Sequence, residues 1–238
     1  MSRFSSVDRN IAVGAMQNDK LIRSRLKTPK AAAIAGILFS ALFIAAFSLL
    51  RIFVPSDPFE SGEWLKANSN TIIFALNLIP FAGIAFLWFV GALRDRLGNL
   101  EDRFFSTVFL GSSLLFLATL FTSAAVIGAI ILAFAADDPN NLTNSAAFHF
   151  ARTLAYNVAN IYMVKMAGVF MISTSTVVVY TEIAPRWVAF LGFVLALLLL
   201  FGSAYFSWIF IAFPFWIFLI SGCLLVDKYR RQSPDALL

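Results

Sequence analysis

Between Asn144 and Trp187 the sequence reads NSAAFHFARTLAYNVANIYMVKMAGVFMISTSTVVVYTEIAPRW, and it gathers most of the side chains that could do chemistry. It holds the only histidine of the chain, His149, together with Arg152, Tyr156, Asn160 and Lys165. The stretch holds no proline before Pro185, so it reads as one helix. Advancing about 100° per residue from His149 brings Arg152, Thr153, Tyr156 and Asn160 to within about 60° of it, with Asn157 at the edge. Such a face has two readings. It is either the wet side of a helix standing among outer lipid headgroups, or a polar vestibule that binds the head of a ligand between helices.

Lys165 lies about 160° round from His149 by the same arithmetic. It stands sixteen residues before Thr181, or about 24 Å at 1.5 Å per residue, in a hydrocarbon core about 30 Å thick. That places it near the outer boundary. Helical side chains lean toward their own N-terminus, so the ammonium is expected to snorkel outward. The competing reading buries Lys165 against Asn77, or against the Leu76 carbonyl that Pro80 frees from the second helix. The candidate ligand-binding set is therefore His149, Arg152, Tyr156, Asn160, Lys165 and Asn77, with no catalytic and no metal-ligating residue.

Several chemistries are excluded by what is missing. One histidine and one cysteine, Cys223, cannot supply a three-histidine zinc site, a bis-histidine haem or a thiolate cluster within one chain. No GxxxxGK[ST] or HExxH motif occurs. The 13 acidic residues all fall in loops, tails or helix ends, which disfavours a proton-coupled carrier. No nucleophile stands beside His149 or Arg152. The expected protein is not an enzyme and needs no cofactor.

The elements that must position these residues are membrane helices. Hydrophobic residues make up 60% of the chain and charged residues only 13%, against about 25% charged in soluble domains. Six apolar runs are expected as helices: Pro29–Phe53, Asn70–Leu93, Phe104–Ala136, the stretch just described, Val188–Tyr205 and Ser207–Val226. The fold class is an all-α, integral membrane six-helix bundle. A basic segment at 1–28 precedes the bundle at 29–226, and a polar tail at 227–238 follows it. With the N-terminus inside, fourteen basic residues fall on the inner side. Only Arg51, Lys66, Arg152 and Lys165 fall outside or in outer helix halves. The asymmetry predicts both termini in the cytoplasm. The net charge of +5 is thereby a topology signal, with no nucleic-acid partner expected.

On the third run, Ser112, Leu115, Thr119, Thr122, Val126, Ala129 and Ala133 recur at spacings of three and four, which predicts a seam for tight helix contact. The sixth run is rich in aromatics, a signature of lipid-facing belts or of a groove for an apolar ligand. The segments GALRDRLGNLEDRF and EIAPRWVAFLGFVLALLLLFG, with the joint Pro185-Arg186-Trp187, are similar to those of a broad group of bacterial six-helix membrane proteins. That resemblance implies the fold and a bacterial inner membrane, and no activity. Two functions remain. One is a non-catalytic accessory, scaffold or lipid-binding subunit, in contact with membrane lipids and assembled with itself or with a larger membrane complex. The other is a small permease or channel with an outer vestibule on the fourth helix.

Overall fold

The computed structural model describes residues 31–55, 63–97, 103–136, 143, 145–181, 184–202 and 208–232. The basic segment 1–28 and the end of the tail lie outside the described residues. The helices are α1 Ala31–Phe53, α2 Glu63–Leu97, α3 Arg103–Ala136, α4 Ala146–Asn157, α5 Val164–Thr181, α6 Arg186–Gly202 and α7 Ala212–Gln232. A π-helical segment, Val158–Met163, joins α4 to α5 in one continuous rod, and a 3-10 turn, Ile209–Ile211, leads into α7. Among the described residues there are thus six rods and no strand. Five are long and apolar enough to cross a membrane. The sixth, α6, has 17 residues, the short end of the roughly 17–25 that a crossing uses. The fold is an all-α membrane bundle, as the composition requires.

Boundaries differ from the apolar runs where polar residues still form helix. α2 begins at Glu63, seven residues before Asn70, because Trp64 and Leu65 turn inward and are buried. α4 starts where Ser145, in extended conformation, accepts a hydrogen bond from the Phe148 N–H at 3.1 Å. That is an N-cap for an otherwise orphan donor. α7 continues to Gln232, through the first residues of the expected tail. α6 is described as far as Gly202, and its expected end near Tyr205 lies outside the described residues.

Three layers follow one another along the bundle. In the middle is a phenylalanine cluster. Phe39 of α1, Phe86 of α2, Phe116 of α3, Phe170 of α5 and Phe213 of α7 are all essentially inaccessible. Their ring centroids lie 4.9 Å apart for Phe39–Phe86, 5.1 Å for Phe86–Phe116, 4.8 Å for Phe116–Phe213 and 5.9 Å for Phe170–Phe213. The pairs are tilted or edge-on, the arrangement that aromatic quadrupoles favour.

Beyond Phe39, toward the start of α1, the helices close on small residues. A Cβ on Gly36 would overlap Ser221 Oγ and sit 2.8 Å from Phe89 Cδ2, and one on Gly192 would overlap Ser175 Oγ and sit 2.7 Å from Trp216 Nε1. Only glycine permits these approaches. Two hydrogen bonds cross the same layer. Ser40 Oγ donates to the carbonyls of Gly36 and Pro214, each at 2.8 Å, and Trp216 Nε1 donates to the Val188 carbonyl at 3.1 Å. The hydroxyls of Ser175 and Ser221 are buried without a partner among the described residues.

The expected α3 seam is only partly in the interior of this chain. Ser112 is buried and Thr119 and Val126 are half-buried, but Leu115, Thr122, Ala129 and Ala133 are exposed, while Phe109, Ser113, Phe116, Leu120 and Ser123 face inward. The reason is physical: lipid is as apolar as leucine, so small residues gain nothing by facing inward unless a neighbouring helix approaches closely. Here the phenylalanine cluster fixes how α3 is turned.

Candidate functional site

The third layer lies on the other side of the cluster, at the end of α1 and the starts of α2, α4 and α7. Here the helices line a cavity of about 100 Å³ that is partly open to the outside, where one water needs only about 10–15 Å³. Phe47 and Leu50 of α1, Ile79 of α2, Leu120, Ile127 and Ile130 of α3, Met163, Val164 and Phe210 give it apolar walls. Arg51, Trp64, Ser123, Arg152, Tyr156 and Asn160 supply its polar groups. Neither a carboxylate nor an imidazole nor a thiol occurs among the described lining residues.

Arg152 is the centre of the polar end. It is 6% exposed, on a helical rod that is long and apolar enough to cross a membrane. Its Nη2 donates to the Pro55 carbonyl at 3.1 Å. Its Cζ lies 5.1 Å from the centroid of the Trp64 ring and 5.7 Å from that of Phe148, distances at which a cation is attracted to an aromatic face. These contacts tie α4 to the chain just after α1 and to the first turn of α2. The Trp64 indole N–H beside it is buried with no acceptor among the described residues.

The π-helical segment Val158–Met163 forms the wall next to Arg152. Two side chains bond to carbonyls just before it. Ser123 Oγ, from α3, donates to the Ala155 carbonyl at 3.0 Å, which also accepts from the Val158 N–H, and Asn160 Nδ2 donates to the Tyr156 carbonyl at 2.9 Å.

Of the expected site residues, the structure brings Arg152, Tyr156 and Asn160 to one cavity, and leaves three elsewhere. His149 is half-buried beside the Phe148 ring, 5.7 Å between centroids, and does not line the cavity. Lys165 and Asn77 are both exposed on the outside of the bundle, and among the described residues no hydrogen bond joins Lys165 to Asn77 or to the Leu76 carbonyl. The face below Asn160 closes: Met163, Val164, Ala167 and Met171 are at most 3% exposed. The phenylalanine cluster lies beyond them.

Arg51, Trp64 and Ser123 were not singled out by spacing. Arg51 ends an apolar run and reads as a boundary charge. Trp64 falls in what reads as a loop. Ser123 is one hydroxyl among several on α3. No family model matches this chain, and neither a curated protein nor a solved structure does.

Proposed function

We propose that this chain is a non-catalytic inner-membrane subunit that holds a lipid-like ligand, its apolar part inside the bundle and its head at Arg152. The observation that carries the reading is the cavity itself: an apolar chamber with a buried guanidinium at one end. Its polar groups bind and orient, and they include no general base or thiol nucleophile among the described residues. The basic-residue asymmetry supports the accompanying topology, with both termini in the cytoplasm and the cavity toward the opposite side. The permease reading has less support, since five phenylalanines fill the axis below the cavity.

The test is to purify the chain in a neutral detergent and weigh it intact by native mass spectrometry. A retained amphiphile is expected. Ala124→Phe places a ring into the cavity, since Ala124 lines it and is half-buried. The variant should melt within a few degrees of the parent and lose the ligand. A parent that carries only detergent, or a filled variant that keeps the same adduct, would sink the proposal.

A further inference from the structure

We infer that the chamber takes its ligand sideways from the bilayer: a phospholipid of the surrounding leaflet, whose glycerol end and first chain carbons enter while the rest of the chain stays among its neighbours. This rests on the ligand-binding reading above. Depth, volume and the rim of the opening carry it.

Depth follows from counting residues. Ala31–Leu50, Ala67–Leu93 and Ile209–Val226 contain no charged residue. Gly36, Phe89 and Ser221 meet, four or five residues from Ala31, Leu93 and Val226 respectively, so those three ends lie at one face of the hydrocarbon. From that face, at about 1.5 Å per residue, Ile79 stands about 21 Å away, Phe47 and Phe210 about 24 Å, and Leu50 about 29 Å. The hydrocarbon is about 30 Å thick. The floor of the chamber therefore lies among acyl chains, and Arg51, next after Leu50, stands at headgroup height.

Volume sets how much of the lipid is inside. About 100 Å³ has room for about seven to ten waters. A whole phospholipid is several times larger, so only one end of it enters. The polar groups of Arg152, Tyr156 and Asn160, at the headgroup side of this floor, match the glycerol esters and not the methyl ends.

The rim gives the route. Tyr156 lines the chamber and is 37% exposed, so its ring stands at the opening. Phe47, Ala124, Ile127 and Ala159 also line it and are half-buried. An opening onto water would wet these side chains, at about 25 cal/mol for each Å² of apolar surface. An opening onto acyl chains leaves them in apolar surroundings, and Phe47 lies within the hydrocarbon by the count above.

The test reconstitutes the full-length protein into phosphatidylcholine vesicles with one of two photoreactive phosphatidylcholines. One carries a diazirine beside the chain ester, the other at the methyl end of the chain. After illumination, the labelled residues are mapped by peptide mass spectrometry. The ester-end probe should label Leu50, Ile127 or Ala159 of the chamber. The methyl-end probe should label the outward-facing Leu115 and Leu197 and none of those three. Ala124→Phe should lose the chamber labels and keep the outward ones. Methyl-end labels on the chamber residues overturn the inference. Chamber residues left unlabelled by both probes, in a protein that still carries an amphiphile when extracted into neutral detergent, overturn sideways entry and leave the ligand-binding reading standing. Absence of both chamber labels and a retained amphiphile overturns both. The two probes are compared on unmodified protein, so misfolding of Ala124→Phe cannot decide the outcome.

Discussion

The two ends of this bundle use similar residues to opposite effect. Around Gly36 and Gly192, hydroxyls and an indole are packed until no space is left. Around Arg152, a hydroxyl, an amide and an indole surround a void. The amino-acid types do not distinguish the ends. What differs is the partner across the gap. Where glycine faces serine, backbones approach and van der Waals contact holds them, the main attraction available between helices in lipid. Where arginine faces tryptophan and isoleucine, the side chains hold the backbones apart and a chamber remains. The phenylalanine cluster between them lets one end be rigid while the other stays open.

If the closed end is the stabilising one, the largest effects should be found there. Gly192→Ala and Gly36→Ala each add a methyl where there is no room and should destabilise by about 3 kcal/mol, the upper range for overpacking, seen as a lowered melting temperature in detergent. A change below about 0.5 kcal/mol for both would mean that the helices part easily and that the contrast between the ends is false. Trp216→Phe follows. It removes the donor to the Val188 carbonyl and leaves a gap, at about 2 kcal/mol, with ligand retention unchanged.

At the open end, Ser123→Ala removes the hydroxyl on the Ala155 carbonyl. Stability should fall by only about 0.6 kcal/mol, the average for hydrogen bonds between membrane helices, while ligand retention falls because the wall beside Arg152 loosens. A loss in melting temperature with retention untouched would separate the π turn from the cavity. The smallest effect belongs to neither end. Ala129 is exposed on α3, so Ala129→Leu should change the stability of the monomer by less than about 0.5 kcal/mol. A larger loss, with a change in oligomeric state, would mean that the outer face of α3 meets another chain.

The class and the six runs were legible because lipid demands long apolar helices and leaves few alternatives. The face Arg152–Tyr156–Asn160 was legible too, since the helical repeat alone sets which residues share a side. Its surroundings were not. Pro55 and Arg152 are 97 positions apart, and helical periodicity carries no information about contacts at that range. The start of α2 was obscured because polar helix and polar loop have similar composition. The α3 seam was legible only at Ser112, Thr119 and Val126: in a soluble protein burial sorts residues by polarity, whereas in lipid both sides of a helix are apolar. Lys165 lies opposite the Arg152–Tyr156–Asn160 face by the same repeat, and it is exposed; the exposure of Asn77 depends on how α2 as a whole is turned.

The wide turn at Val158–Met163 has a consequence for how this chain tolerates changes in length. It behaves as a one-residue insertion that the helix has absorbed without breaking, so everything before it is turned by about 100° relative to everything after it. Arg152 meets Trp64 only in that phase. Losing one residue there, as in a deletion of Ala159, would let an ordinary α-helix run straight through and would rotate Arg152 out of the chamber. Such a chain is expected to melt lower than its parent, since the contacts of Arg152 and Phe148 are lost with the rotation, and to retain no ligand; a deletion variant that still carried its amphiphile would show that the phase is unimportant. Most damage in packed helices comes from exchanging one side chain for another. At this turn the sensitive variable is a count of residues, and a shortened helix would still be a helix but present the wrong face.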